Sequence, residues 1–399
     1  MTVVLFDPLH RSRLFPFTRT RPVADLRKGI LTIRESWEKI TENYVRILTE
    51  TPIADDPSGF CNFRSGESLL SFSDDFLYIN AALMPDPGHW ALLRSLANGS
   101  GYTYQDNLIA FRASFGLSLA ELYKSPGVPF PSALRFLEYP WQLVQWNSLD
   151  FLLDFDLLTG GRTSCVVPPG NQVVNPSDVF IEPGASVSGA FFNASTGPIY
   201  IGRDAVVMEG SMLRGPVALC EGAVLKMGAR VYGATTLGPY CVAGGEIKNS
   251  ILFGYSNKAH DGYLGDSLIG EWCNLGAGTT NSNIRNNATP VRVWSVDGPV
   301  SAGVKAGLFM GDYSRAAISS AFYSGAVVGV CCNIFGAGVC SGYLPDFSWG
   351  LAGGRYDWER ALRDIDNWKK LKGQALTERE IRILGAIFGA AAPLRDTII

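Results

Sequence analysis

Residues 201–237 read IGRDAVVMEGSMLRGPVALCEGAVLKMGARVYGATTL, which places aliphatic residues at Ile201, Val207, Leu213, Leu219, Leu225, Val231 and Leu237. Every sixth position is filled this way without a miss. Four residues after each of the first six stand Ala205, Ser211, Val217, Ala223, Ala229 and Thr235, all small enough for a place where the backbone turns a corner. Strands of a β-sandwich alternate with period two and come at irregular spacing, so they do not fit. The pattern selects a prism-shaped coil in which each six-residue unit gives one short strand and one inward aliphatic side chain. One unit cannot bury its aliphatic residue alone, so the stacking of successive coils is what stabilises this part. Weaker echoes at Ile181 and Val187, and at Ile269-Gly270 and Leu275-Gly276, extend the repeat from about Asp178 to about Asn283.

On the amino-terminal side the periodicity is different. Thr2 to Phe6 reads as a strand, Arg27 to Leu48 has helical spacing around Ile30, Ile33, Trp37 and Ile40, and Phe76 to Ala82 and Leu108 to Phe111 read as strands. Leu149 to Leu158 predicts a helix that closes an α/β domain, and Gly160-Gly161-Arg162 with Pro168-Pro169-Gly170 forms the linker. On the carboxy-terminal side, Trp358, Leu362, Ile365 and Trp368 lie at helix spacing. Thr377 and Glu380 have capping-box spacing ahead of Ile381, Leu384 and Ile387. Ala326 to Tyr343, rich in glycine, cysteine and aromatic residues, has no assigned shape. The expected division is an α/β domain over 1–165, the coil over 166–345 and a helical tail over 346–399.

The 399 residues carry a formal net charge of -3, which implies no general attraction to nucleic acid or to an anionic membrane. No basic run with an apolar core opens the sequence, and no stretch reaches the roughly 18 uninterrupted apolar residues of a membrane span. The expectation is a cytoplasmic protein. The eight cysteines show no CxxC pair and no histidine at zinc-ligand spacing, so they read as reduced core residues.

The repeat breaks at Gly244 to Asn283, where polar residues concentrate. Glu246-Ile247-Lys248, Ser256-Asn257-Lys258-Ala259-His260, Tyr263-Leu264-Gly265-Asp266, Asn274-Leu275-Gly276-Ala277-Gly278-Thr279 and Asn283 follow one another there. In order and near-spacing these segments resemble the acetyltransferase half of the bifunctional N-acetylglucosamine-1-phosphate uridyltransferase/glucosamine-1-phosphate acetyltransferase family. That resemblance implies a left-handed parallel β-helix, acetyl-CoA as co-substrate, an amino-sugar phosphate as acceptor and a homotrimer with its cleft between neighbouring prisms. It also implies roles. His260 is the general base that takes a proton from the sugar amine as it attacks the thioester. Glu246 orients the imidazole or holds the amine. Arg230 and Lys248 bind the sugar's phosphate, as cations matched to a dianion. Tyr263, Asn274 and Asn283 hydrogen-bond the sugar and its phosphate, and the backbone of Ala277 and Gly278 approaches the thioester. Asn283 is followed by Ile284-Arg285-Asn286 where the family has tyrosine, aspartate and glycine, so that only Arg285 or Arg292 can replace the family's next basic residue. Read without the resemblance, the same cations are solvated charges and the asparagines are rungs of corner ladders.

The amino-terminal domain resembles, by its order along the chain, the family's nucleotidyltransferase half, a Rossmann-like α/β domain. Phe17-Thr18-Arg19-Thr20-Arg21-Pro22 is similar to a segment of a divergent group assigned as sugar nucleotidyltransferases with a carboxy-terminal hexapeptide-repeat β-helix, and this likeness extends over nearly the whole chain. Where the family has a glycine-rich phosphate loop this chain has Asp7-Pro8-Leu9-His10-Arg11-Ser12-Arg13, with no GxG. A nucleoside triphosphate would then depend on side chains, with Arg13, Arg19 and Arg21 as the candidates and Asn80 at the strand position of the family's magnesium-binding aspartate. Asp74, Asp75 and Asp86 are the carboxylates available for Mg2+. Three readings follow. One is a sugar-1-phosphate transferase whose coil transfers an acyl group. The second is a nucleotidyltransferase that uses the coil only for oligomerisation. The third is a non-catalytic sugar-nucleotide binding protein.

Overall fold

The structure is a computed structural model that describes residues 1–55, 59–61 and 75–395. Asp74 lies outside the described residues. The chain forms two compact units. The first comprises Met1–Leu14, Thr20–Leu26 and Leu31–Glu138, and the second Phe15–Arg19, Arg27–Ile30 and Tyr139–Ile399.

The first unit is built on a seven-stranded sheet. Its strands are β1 (Thr2–Phe6), β2 (Val45–Leu48), β3 (Phe60–Cys61), β4 (Phe76–Asn80), β5 (Gly101–Tyr104), β6 (Asn107–Ala113) and β7 (Val128–Pro129), in the order β3-β2-β1-β4-β6-β5-β7. β1 is parallel to both β2 and β4, while β6 runs antiparallel to β4. The chain thus leaves β1 for one side of the sheet and later returns to the other, which puts a topological switch point at the carboxyl ends of β1 and β4. The helical spacing expected from Arg27 to Leu48 survives only as α1 (Ile33–Thr41). Thr32 and Glu35 form a capping box at its start, Glu42 adopts φ 57° at its end, and the β-branched run that follows becomes β2.

The first unit also holds α2 (Pro87–Arg94) and α3 (Leu119–Leu122), and the long continuous stretch of the second unit, from Tyr139, opens with α4 (Trp141–Thr159). α4 starts eight residues before the expected Leu149, directly after Pro140, since proline suits the first turn, where the N–H is unused. The coil follows as a parallel β-helix with three faces, recorded as sheets of ten, six and nine strands. The seven aliphatic residues at period six are buried, and so are all six small residues four positions later. The seven aliphatic side chains, with those of Ala205, Val217, Ala223 and Ala229, belong to one continuous core.

Beyond Asn283 the chain leaves the coil through a hairpin of Arg292–Val293 and Val300–Ser301 and returns at Phe309–Met310. From there Met310, Ala316, Phe322, Val328, Ile334 and Cys340 enter the same core at an unbroken period of six, so Ala326 to Tyr343 is further coil. The tail forms α5 (Trp358–Lys370) and α6 (Glu378–Arg395), the latter capped by Thr377 and Glu380. Ile383, Leu384 and Ile387 pack inward, whereas Ile381, expected on that face, is 38% exposed. Seven of the eight unpaired cysteines are buried and Cys165 is exposed.

Arg27–Ile30 is fixed within the second unit. The fully buried Lys28 lies with its Nζ 2.6 Å from Asp154 Oδ1 and 3.9 Å from Asp150 Oδ1, and the Ile30 N–H donates to Asp154 Oδ2. Thr236 Oγ1 on the coil donates to the Gly29 carbonyl at 2.7 Å, and Arg27 Nε donates to that of Phe253 at 3.1 Å.

Candidate active site

The six-stranded face carries most of the residues in question. In Glu246–Lys248 the middle residue, Ile247, points into the core, so Glu246 and Lys248 face outward. Register aligns Arg230, Glu246 and Tyr263 in one outward column and Tyr232, Lys248 and Gly265 in the next. Tyr232 donates its hydroxyl to Glu246 Oε1 at 2.7 Å, Arg230 Nε lies 3.9 Å from Glu246 Oε2, and Lys248 Nζ stands 5.5 Å from the centre of the Tyr232 ring. The hydrogen bond to Glu246 pushes the Tyr232 phenol above its ordinary range. Asn283 Nδ2 donates to Tyr263 Oη at 3.0 Å and also to Asp266, which Asn249 reaches at 3.4 Å. Burial, with the Asp266 carboxylate nearby, pushes the Tyr263 phenol up to about 12.

His260 sits at the corner that leads from Asn257–Lys258 on the ten-stranded face to Tyr263–Gly265. Its imidazole is exposed and has no hydrogen-bond partner among the described residues. The main chain below it is held from inside the coil. Lys258 stands in register with Ala243 at an inward position, is 1% exposed, and donates from Nζ to the carbonyls of Gly244 and His260. Burial lowers this amine from 10.5 to about 8. Corners stack tightly here, since a Cβ on Gly245 would lie 2.8 Å from the His260 carbonyl.

A lysine that has lost its proton in the folded state but keeps it when unfolded makes stability rise with pH between the two values. The stability of the native chain relative to Lys258→Met is therefore expected to increase between about pH 8 and 10.5. Denaturant melts of both proteins at pH 7.5 and pH 10 measure this. A gap that stays constant would place the ammonium in a solvated setting instead.

The remaining positions lie elsewhere. Asn274 is on the ten-stranded face, where Asn257 Nδ2 donates to its Oδ1 at 3.4 Å, so it is a ladder rung around the corner from Glu246. Ala277 and Gly278 form the next corner along the same prism edge as His260. The Gly278 N–H donates to the Asp261 carbonyl at 3.0 Å, and the Ala277 carbonyl accepts from Ser319 at 2.7 Å. The structure brings Arg230, Glu246, Lys248, Tyr263 and Asn283 together and sets His260 at their edge. Tyr232 and Asp266 join the cluster without having been singled out. Tyr232 was legible from its two-residue offset from Arg230, because alternate residues of a strand share a face.

Residues 3–163 match a family model described as sugar nucleotidyl transferase. The bifunctional protein GlmU of Methanocaldococcus jannaschii is 38% identical over 89 residues, 22% of each chain. GlmU of Stutzerimonas stutzeri is 28% identical over 287 residues, 63% of this chain and 61% of its own. The chain is similar to the GlmU-type bifunctional proteins. A bifunctional sugar-1-phosphate nucleotidylyltransferase/acetyltransferase of Sulfurisphaera tokodaii is 34% identical over 91 residues, 23% of each chain. The alignment with the first of these GlmU-type relatives spans about a fifth of that relative's length.

In the amino-terminal unit of this chain, the carboxyl end of β1 is filled by its own groups. Asp7 is 1% exposed, and its Oδ1 accepts from the Val23 N–H at 2.8 Å. Its Oδ2 accepts from the Thr49 hydroxyl and lies 2.9 Å from Arg11 Nε, while Arg11 Nη1 reaches Glu50 at 2.9 Å. Burial raises the Asp7 carboxyl, opposed by Arg11.

The four nucleotide candidates have different local surroundings. Arg13 is half-buried in the turn after β1, and the Arg21 carbonyl accepts from Arg11 Nη2 at 3.3 Å. Arg19 belongs to the second unit, where its Nε lies 3.2 Å from Asp346. The Asn80 amide is turned inward, donating to the Leu108 carbonyl and accepting from the Ala82 N–H. Asp75 is bonded to Arg112 at 2.9 Å, and Asp86 caps α2 through the Gly88 N–H. Among the described residues no group of three or more histidine, cysteine or acidic side chains is arranged to hold a metal ion. No helix among the described residues is long and apolar enough to cross a membrane.

Proposed function

We propose that the chain is an acyltransferase that moves the acetyl group of acetyl-CoA to the amine of a phosphorylated amino sugar, with the catalytic groups on the coil. The observation that carries this reading is the joined outward cluster of Arg230, Tyr232, Glu246, Lys248, Tyr263 and Asn283 beside the exposed, unbonded imidazole of His260. The similarity to GlmU-type proteins supports it. Lys248 and Arg230 neutralise the phosphate. Glu246, fixed by Tyr232, holds the ammonium or amine, and Tyr263 with Asn283 bonds the sugar hydroxyls. His260 takes a proton as the nitrogen attacks the thioester carbonyl, the C–S bond breaks, and the thiolate of coenzyme A departs.

Asn274 and the Ala277–Gly278 corner sit on or toward a different face, so a homotrimer that sets the ten-stranded face of one copy against the six-stranded face of the next would complete the site. Eight unpaired cysteines and a coenzyme A donor suit a reducing, cytoplasmic setting. The match of residues 3–163 to the sugar nucleotidyl transferase model supports a second reading, nucleotidyl transfer by the amino-terminal unit. Chromatographic measurement of coenzyme A released from acetyl-CoA, with a panel of amino-sugar phosphates, tests the acyltransferase reading. Release with at least one acceptor is expected, and silence across the panel would remove it.

A further inference from the structure

The six-stranded face continues past the cluster, away from the Ala277–Gly278 corner, and there its outward side chains change character. The column through Glu246 runs on to Arg230, Met212 and Phe191, and the column through Lys248 runs on to Tyr232, Arg214 and Asn193. Together these last six side chains line an open cleft of about 590 Å3 that shares Arg230 and Tyr232 with the candidate site. Met212 is 57% exposed and Phe191 42%. Arg214 has no acidic partner among the described residues, and no carboxylate lines the cleft.

We propose that the acceptor is a nucleoside diphosphate-linked amino sugar, whose second phosphate binds Arg214 and whose base lies on Phe191 and Met212. This rests on the acyltransferase reading and names its substrate class. A bare sugar 1-phosphate is fully matched by Lys248 and Arg230, which leaves Arg214 and the apolar shelf without a ligand. Neighbouring strands stand roughly 4.8 Å apart, which sets the Arg214 row about 10 Å and the Phe191 row about 14 Å from Glu246. The order along that line is amine pole, first cation row, second cation, apolar shelf. Guanidinium groups bind phosphate oxygens in pairs, and a flat base stacks on an aromatic ring whatever its identity. The acyl donor is not the occupant, since its thioester must approach from the Ala277–Gly278 side of Glu246.

The test compares kcat/KM for UDP-glucosamine and glucosamine 1-phosphate in the full chain, in Arg214→Ala and in Phe191→Ala. The native chain is expected to favour UDP-glucosamine at least tenfold, and each substitution is expected to lower that ratio at least fivefold with the melting temperature unchanged. A native ratio at or below one, or a ratio that neither substitution moves, overturns the proposal. So does loss of an oligomer in Phe191→Ala with the ratio intact, which would make the shelf a contact between copies. If neither acceptor is acylated, the acyltransferase reading fails by itself. Calorimetric titration with UDP then decides the cleft: binding that Arg214→Ala weakens tenfold supports it, and binding that Arg214→Ala leaves unchanged, or no binding at all, ends it.

Discussion

Gly29→Ala is expected to lower the stability of the coil unit by at least about 4 kcal/mol, which for a unit of this size is a fall in melting temperature on the order of 10 °C. Gly29 has φ 54°, where a side chain adds roughly 1–2 kcal/mol of strain. Space is the larger cost. A Cβ there would lie 2.3 Å from Asp154 Oδ2 and 2.7 Å from the Asp150 carbonyl. Neither neighbour can retreat cheaply. Asp154 is held by the Lys28 ammonium and the Ile30 N–H, and the Asp150 carbonyl is part of α4. Pushing the loop outward would separate a fully buried ion pair, a change that typically costs about 3–5 kcal/mol because an uncompensated charge stays in the interior. Gly228→Ala is the control, for its φ is 69° but nothing lies within 4 Å of the added carbon. It is expected to lose only about 1 kcal/mol of backbone strain. Equal melting shifts for the two variants would mean that the Lys28–Asp154 pair does not hold this loop.

The coil was legible because inward positions recur at a fixed spacing that no other common fold imposes. The same spacing was hidden after residue 310 only because Ala316, Phe322 and Cys340 take inward positions that aliphatic residues fill earlier. Composition changed while geometry did not. Lys258 misleads for the related reason that a charged residue fills a core position, which is tolerable only because Gly244 and His260 offer it carbonyls.

The outward cluster was largely legible through the family resemblance, but Asn274 was not, since sequence order cannot say which face of a prism a residue occupies. Register decides that, and it puts Asn274 opposite Asn257. The arginine-rich first loop, expected as a possible phosphate cradle, has partners that its own sequence does not reveal. Its charges are partly consumed by Asp7, Glu50 and Asp346, partners 4 to more than 300 positions away, and local sequence carries no trace of the distant ones.

His260→Ala is expected to reduce kcat for acyl transfer by about 10²–10⁴-fold, the range that a positioned general base supplies. That is about 3 to 5 kcal/mol of barrier. The melting temperature should not move, because the imidazole is exposed and bonded to nothing among the described residues. KM for the acceptor should change little, since its phosphate and hydroxyls are assigned to Arg230, Lys248, Tyr263 and Asn283. The three readouts separate the roles the residue can have. A binding histidine would raise KM with kcat intact, and a structural one would lower the melting temperature. Glu246→Gln provides the complementary case. It keeps an acceptor for the Tyr232 hydroxyl but loses the charge that holds the amine, so a rise in KM is expected to accompany any fall in kcat. A kcat for His260→Ala within tenfold of the native value would show that proton removal is done elsewhere. The corner that Lys258 holds would then be a structural feature of the coil, not the support of a base.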